Sequence, residues 1–129
     1  MKNQWKILLC LGVFLGVSSC YYDKEFEIEI PDIPDDQEIL FRTDIEPLFS
    51  RNGKDCTQCH NETAQLNLTI GNAYNSLIQG GFVDPGNAEG SLLFQRAPGQ
   101  NHPFDVGFIL DADDLALIKE WIDRGALNN

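Results

Sequence analysis

An all-α fold, small and helical, is predicted by three observations. The clearest periodic pattern closes the chain, where Leu117, Ile118, Trp121 and Ile122 form an apolar stripe at helical spacing. A shorter stripe, Ile45, Leu48 and Phe49, opens the compact part. Between them lie loops rich in Gly, Asn and Pro, and no hairpin signal stands out. The 129 residues allow one domain at most.

The elements follow in chain order. Met1 to Trp5 is short and polar, and Lys2 and Lys6 give it a positive flank. Ile7 to Val17 is apolar, and Ser18 and Ser19 precede Cys20. Charged start, apolar middle and small residues at the cut describe an export signal over residues 1–19. The apolar run is shorter than the roughly 20 residues a membrane-spanning helix needs. Val17-Ser18-Ser19-Cys20 resembles the lipobox of bacterial lipoproteins. That resemblance implies that Cys20 is lipidated and anchors an exported chain. Tyr21 and Tyr22 give no retention signal of the aspartate type, which favours the outer membrane, on its periplasmic or cell-surface side.

Residues 20–40 read as an acidic flexible tether. Eight carboxylates lie between Asp23 and Glu38, broken by Pro31 and Pro34. Such a stretch buries little and stays extended, reaching about 65–70 Å at full length. The alternation of Phe26, Ile28 and Ile30 with Glu25, Glu27 and Glu29 also fits an edge strand. The domain proper spans residues 41–129, with its compact part from about Phe41 to Leu127. Domains this small rarely stabilise themselves without a staple.

Its first helix is expected to start near Thr43, with Glu46 completing a capping box and Pro47 disturbing the first turn. Ala73 to Gln79 and Ser91 to Arg96 are shorter helix candidates. Asp111 is placed to cap the last helix, with Leu110 and Leu115 as a hydrophobic staple. Arg124 suits its last turn and Gly125 its stop.

Charge narrows the partners. The chain carries a formal charge of −11. Loss of Lys2 and Lys6 with the signal takes the basic count from nine to seven against 20 acidic residues, a charge of −13. Nucleic acid is therefore excluded, since its binding needs Lys and Arg against phosphates. Redox partner proteins with basic docking surfaces remain compatible.

Cys10 leaves with the signal and Cys20 takes the lipid, so Cys56 and Cys59 remain. They stand in Cys56-Thr57-Gln58-Cys59-His60, the C-x-x-C-H attachment signature of haem c. Two thiols add across the two vinyl groups of one porphyrin, so they must sit close together. The histidine after the second thiol is then held beneath the iron as the proximal axial ligand. A zinc site would want four ligands at finger-like spacing, whereas the only other histidine is His102, far along the chain, and no second cysteine pair exists. A thioredoxin-like pair would want a preceding strand, and a bare Cys56–Cys59 disulfide would close a tiny loop. The sequons at Asn61 and Asn67 carry no weight in a bacterial export.

Ile45 to His60, helix then C-x-x-C-H, resembles the start of class I cytochromes c. Val83-Asp84-Pro85-Gly86-Asn87, Ser91-Leu92-Leu93, Arg96 and the ending Trp121-Ile122-Asp123-Arg124-Gly125-Ala126 resemble the planctomycete-type bacterial branch. The resemblance covers nearly all of residues 41–127. It implies an all-α, cytochrome c-like helical domain wrapped around one covalent haem, with an electron-transfer role. Most of that branch supplies methionine as second ligand. Here the only methionine is Met1, and His102-Pro103 stands where Met-Pro is expected. Imidazole suits iron, so bis-histidine ligation by His60 and His102 is expected.

A carbonyl near Pro85 is expected to accept the His60 ring proton. Arg96 is a candidate partner for a haem propionate. Phe82, Phe94, Phe104 and Phe108 are candidate haem walls, and Trp121 a candidate contact between the first and last helices. The functional expectation is an electron carrier rather than an enzyme, alone or as an electron-transfer subunit of a larger oxidoreductase. The alternatives are a haem peroxidase or gas sensor with an open sixth site, and a haem-free thiol or structural protein.

Overall fold

Pro47 sets the course of the first helical segment. It has no N–H to donate to the Thr43 carbonyl, and its ring crowds that carbonyl, so a regular α-helix cannot run through it. In the computed structural model, which describes residues 28–98 and 100–129, the chain makes a π turn over Phe41–Ile45 and a 3-10 turn over Glu46–Phe49. The Glu46 N–H donates five residues back, to the Phe41 carbonyl. The expected Thr43–Glu46 capping box does not form. Asp44 reaches back to the Leu40 N–H at 2.7 Å, and Glu46 accepts the Gly71 N–H at 2.7 Å.

A hairpin follows that the sequence reading missed. Strand β1 (Ser50–Arg51) pairs antiparallel with β2 (Lys54–Asp55), Ser50 opposite Asp55 and Arg51 opposite Lys54. Asn52-Gly53 makes the turn, with Gly53 at φ +80°. Of the two turn residues only Gly53 takes a positive φ, which glycine adopts without a Cβ penalty, while Asn52 stays at negative φ. A single 3-10 turn, Cys56–Gln58, comes next. Helix α1 is Ala73–Gln79, α2 is Leu92–Gln95 and α3 is Ala112–Asp123.

The all-α, cytochrome c-like expectation is thereby corrected. Only 35% of the described residues are helical, in short helices beside a two-stranded sheet. The physical reasons are local. Pro47 breaks the first helix, Asn52-Gly53 turns a strand pair, and Asn and Asp side chains compete for backbone bonds between Asp55 and Thr69.

Helix α3 is the spine of the core. Leu115, Ile118, Trp121 and Ile122 recur at steps of three and four and are almost fully buried. They pack with Phe41, Ile45 and Leu77, also fully buried. Phe41 and Trp121 rings lie 5.1 Å apart, and Tyr74 meets Phe41 edge-on at 5.3 Å. The helix ends in a Schellman motif. The Gly125 N–H donates to Ile122 and the Ala126 N–H to Trp121, with Gly125 at φ +99°. The Asn129 side chain then accepts the Phe41 N–H at 2.9 Å, satisfying a donor at the start of the first segment.

Two ion pairs fasten the hairpin to the start of α3. Lys54 meets Asp111 at 2.6 Å and Arg51 meets Asp114 at 2.5 Å. Asp111 is spent on Lys54 and makes no cap bond, although Leu110 and Leu115 are both buried as a staple requires. Lys54 holds the Asp111 carboxyl below its ordinary range, and Asp114 raises Arg51. The Arg51–Asp114 contact is an ion pair outside hydrogen-bond angles, and both Arg51 Nη2 and Asp114 Oδ2 are buried without a hydrogen-bond partner among the described residues.

The two sides of that pair are unequal, with side chains 40% exposed for Arg51 and 7% for Asp114. Arg51→Ala strands a buried carboxylate and is expected to cost roughly 2–3 kcal/mol. Asp114→Ala leaves a guanidinium that is exposed in part but whose Nη2 is buried, costing about 1–2 kcal/mol. Urea unfolding of both variants measures the difference, and equal losses would refute the asymmetry.

Packing extends upstream of Phe41. Ile39 is buried, and Ile28, Ile30 and Ile33 lie partly buried against the core without forming a strand. Arg124 donates to the Pro34 and Gln37 carbonyls and pairs with Glu120 at 2.7 Å. The expected signal over residues 1–19 and the lipidated Cys20 lie outside the described residues. No described helix is long and apolar enough to cross a membrane.

Candidate functional site

The C-x-x-C-H segment leaves β2 already bent. The Asp55 carboxylate accepts the Thr57 N–H at 2.9 Å and the Thr57 hydroxyl at 2.6 Å. Those bonds hold its carboxyl below the ordinary range. The same device recurs twice. Asn61 accepts both donors of Thr63, and Asn67 accepts both donors of Thr69. An Asx turn thus begins every sixth residue from Asp55. His60 sits between the first two. Its N–H donates to the Cys56 carbonyl at 2.8 Å, and its own carbonyl accepts the Leu68 N–H at 2.8 Å.

Cys56 and Cys59 both carry free thiols on this one turn, Cys56 half-buried and Cys59 exposed. Burial, helped by the Asp55 charge, pushes the Cys56 thiol up to about 11. A thiol–disulfide catalyst needs the opposite, a thiolate stabilised near neutrality.

His60 and His102 are 42 positions apart in the chain, yet their rings lie side by side in an edge-on arrangement. The centroids are 6.4 Å apart and the planes nearly perpendicular, at 86°. The His102 Nδ1 contacts the Phe104 carbonyl at 2.8 Å, and a longer contact from the Phe104 N–H measures 3.4 Å. The shorter one assigns the proton to Nδ1, which leaves the other ring nitrogen its lone pair. His60 Nδ1 is buried with no hydrogen-bond partner among the described residues. A buried orphan of this kind costs about 1–3 kcal/mol unless something outside the polypeptide relieves it.

Donor count narrows what this pair can hold. Among the described residues no group of three or more His, Cys, Asp or Glu could hold a metal ion. Two neighbouring imidazoles alone fall short of a four-ligand zinc site. They match a metal whose remaining ligands come from a macrocycle, as in haem.

A cleft of about 310 Å³ opens beside His102, lined among others by Phe104, Asp105, Val106, Phe108 and Ile109. Phe104 and Ile109 are 76% and 55% exposed. Of the expected haem walls, Phe104 and Phe108 line this cleft, Phe94 is buried in the core, and Phe82 packs partly against it. Pro85 lies exposed in the 84–87 turn, and its carbonyl does not serve the His60 ring nitrogen, which is unpartnered. Arg96 is exposed and has no ion pair among the described residues. Trp121 belongs to the aromatic core with Phe41 and Tyr74, its ring N–H donating to the Leu127 carbonyl at 2.9 Å.

No family model matches the chain, and no curated protein matches it. Among solved structures it is similar to a hydrazine synthase of Kuenenia stuttgartiensis, with TM-score 0.59 and 26% identity. The likeness covers 70% of this chain and 16% of that one. The chain thus spans about a sixth of the length of that enzyme chain.

Proposed function

We propose that this chain carries one haem c, bound covalently through Cys56 and Cys59 and ligated by His60 and His102, and that it transfers electrons. The observation that carries the reading is the His60–His102 pair, 6.4 Å apart beside the C-x-x-C turn. The haem supplies a one-electron iron couple. Cys56 and Cys59 fix it to the chain, and His60 is held by backbone bonds on both sides. His102 is held in its ligand tautomer by the Phe104 carbonyl. Two histidines give a lower potential than His–Met ligation. Arg96 is the candidate partner for a propionate. Similarity to part of a hydrazine synthase supports a redox setting, in which this chain acts as a carrier or as an electron-transfer subunit. The acidic surface suits a redox partner with a basic face. Export and lipidation at Cys20, with the outer membrane favoured, complete the proposal.

The test is the visible spectrum of full-length chain exported by a host able to attach haem c. A sharp, low-spin reduced spectrum that survives acid–acetone extraction is expected. Extraction of all colour, or a colourless product, would refute covalent attachment.

A further inference from the structure

We propose that Asn52 is a site of spontaneous covalent modification, and that its rearrangement releases the hairpin from α3. The reaction turns the Asn52 side-chain amide into a carboxylate. It needs only water, and it stands apart from the haem reading.

The dipeptide is singular in the chain. Asn52 is followed by Gly53, and no other asparagine precedes a glycine. Glycine carries no Cβ to hinder an approach to its own nitrogen or to restrict the backbone on the way. Both residues are exposed, at the tip of the hairpin. A Cβ built on Gly53 would meet nothing within 4 Å, so the tip borders open space. In a two-residue turn the ladder bonds belong to the flanking pair, here Arg51 and Lys54, and not to the turn amides. The Gly53 N–H accordingly makes no hydrogen bond to another described residue.

Asparagines in the loops that follow are employed elsewhere. Asn61 and Asn67 each accept two bonds from the threonine two positions on. Asn87 accepts the Gly90 N–H and donates to Asp84.

The chemistry balances. The Gly53 nitrogen gives up its proton and attacks the Asn52 side-chain carbonyl carbon. A bond from that nitrogen to Cγ forms, the bond from Cγ to Nδ2 breaks, and Nδ2 leaves with the proton as ammonia. Water then opens the cyclic imide at either carbonyl. One opening gives ordinary aspartate. The other routes the main chain through Cβ and Cγ and adds one carbon to the backbone. Nothing is oxidised or reduced.

Position decides the consequence. Arg51 precedes the dipeptide and Lys54 follows it, and these two cations fasten the hairpin to α3 through Asp114 at 2.5 Å and Asp111 at 2.6 Å. Both pairs depend on Arg51 standing opposite Lys54. An added backbone carbon lengthens the turn and disturbs that register, as an inserted residue does in a bulge. The new carboxylate also competes for both cations. The segment released runs directly into Cys56 and His60. Asp114, with its side chain 7% exposed, is left a buried carboxylate without its cation.

The test incubates the full chain at mildly alkaline pH and maps its peptides by mass spectrometry, with enzymatic labelling of isoaspartate. Asn52 is expected to convert before any other asparagine, with the rearranged linkage present. The unfolding constant of the aged chain is expected to rise about tenfold or more, read as a lower urea midpoint. Asn52→Gln, whose longer side chain closes a ring less readily, is expected to keep its midpoint through the same incubation. Asn52→Asp adds the charge without the extra carbon and is expected to fall between fresh and aged chain. Earlier conversion at any other asparagine would overturn the site. A converted chain with the midpoint of fresh protein would overturn the release, as would an equal loss in aged Asn52→Gln. An Asn52→Asp chain as weak as the aged one would overturn the part given to the added carbon.

Discussion

A chain carrying Cys56→Ala and Cys59→Ala is expected to leave a haem-attaching host without haem on the denatured polypeptide. The two thiols project from one turn, Cys56 half-buried and Cys59 exposed, and neither is tied up in a disulfide. They are the only thiols among the described residues able to add to a porphyrin. The histidine pair survives the double substitution, so haem binds at best reversibly and is stripped by acid–acetone. Intact mass and extraction measure the effect, which is all or none. The single Cys56→Ala variant is expected to keep one thioether bond. Haem that stayed covalent in the double variant would place attachment elsewhere and refute the assignment.

Trp121→Ala is expected to be the most damaging single change to the fold. Trp121 is only 2% exposed and lies against Phe41 at 5.1 Å and Tyr74 at 6.5 Å. Truncation removes that packing and leaves the Leu127 carbonyl without its ring N–H donor. Losses of this kind run at about 3–5 kcal/mol. Against a total of about 5–15 kcal/mol, and near the lower end for a small domain, much of the population would unfold. Trp121→Phe keeps an aromatic body and loses mainly the bond, so about 1–2 kcal/mol is expected. Urea titrations of the two variants separate packing from hydrogen bonding, and a similar midpoint for both would refute the packing account.

The part of the fold that was legible in the sequence is the part governed by strong periodicity. Of the expected stripe, Ile118, Trp121 and Ile122 are buried and Leu117 only partly, with Leu115 completing the face, and the stop falls at Gly125 as expected, because burial and left-handed backbone leave a clear mark in residue type. Ala73–Gln79 matches its expected span as well. The fold class was misread because short-range chemistry won elsewhere. Pro47 replaced a helix by π and 3-10 turns, and the Asn52-Gly53 dipeptide, visible but not weighed, made a hairpin.

At the site, C-x-x-C-H advertises its chemistry by spacing alone, whereas the ion pairs that position it do not. Nothing in the sequence says that Asp111 will meet Lys54 instead of capping its own helix, since that depends on where the hairpin lands. The meeting of His60 and His102 is tertiary for the same reason. Only the scarcity of histidine made their pairing readable.

The recurrence of Asx turns at Asp55, Asn61 and Asn67 also sets an order of events during folding. Each turn closes within three residues, so its loop-closure entropy is small. The contact between Phe41 and Asn129 spans 88 positions and must wait for the whole chain to collapse. Closing a loop of about ten residues takes roughly 10–100 ns, and whole-domain docking is far slower. The peptide around the two thiols and His60 can therefore sample its bent shape on a clock of its own, before the core that encloses its neighbours has formed. Chemistry performed on that peptide, early in the life of the chain, would meet a shape rather than a coil.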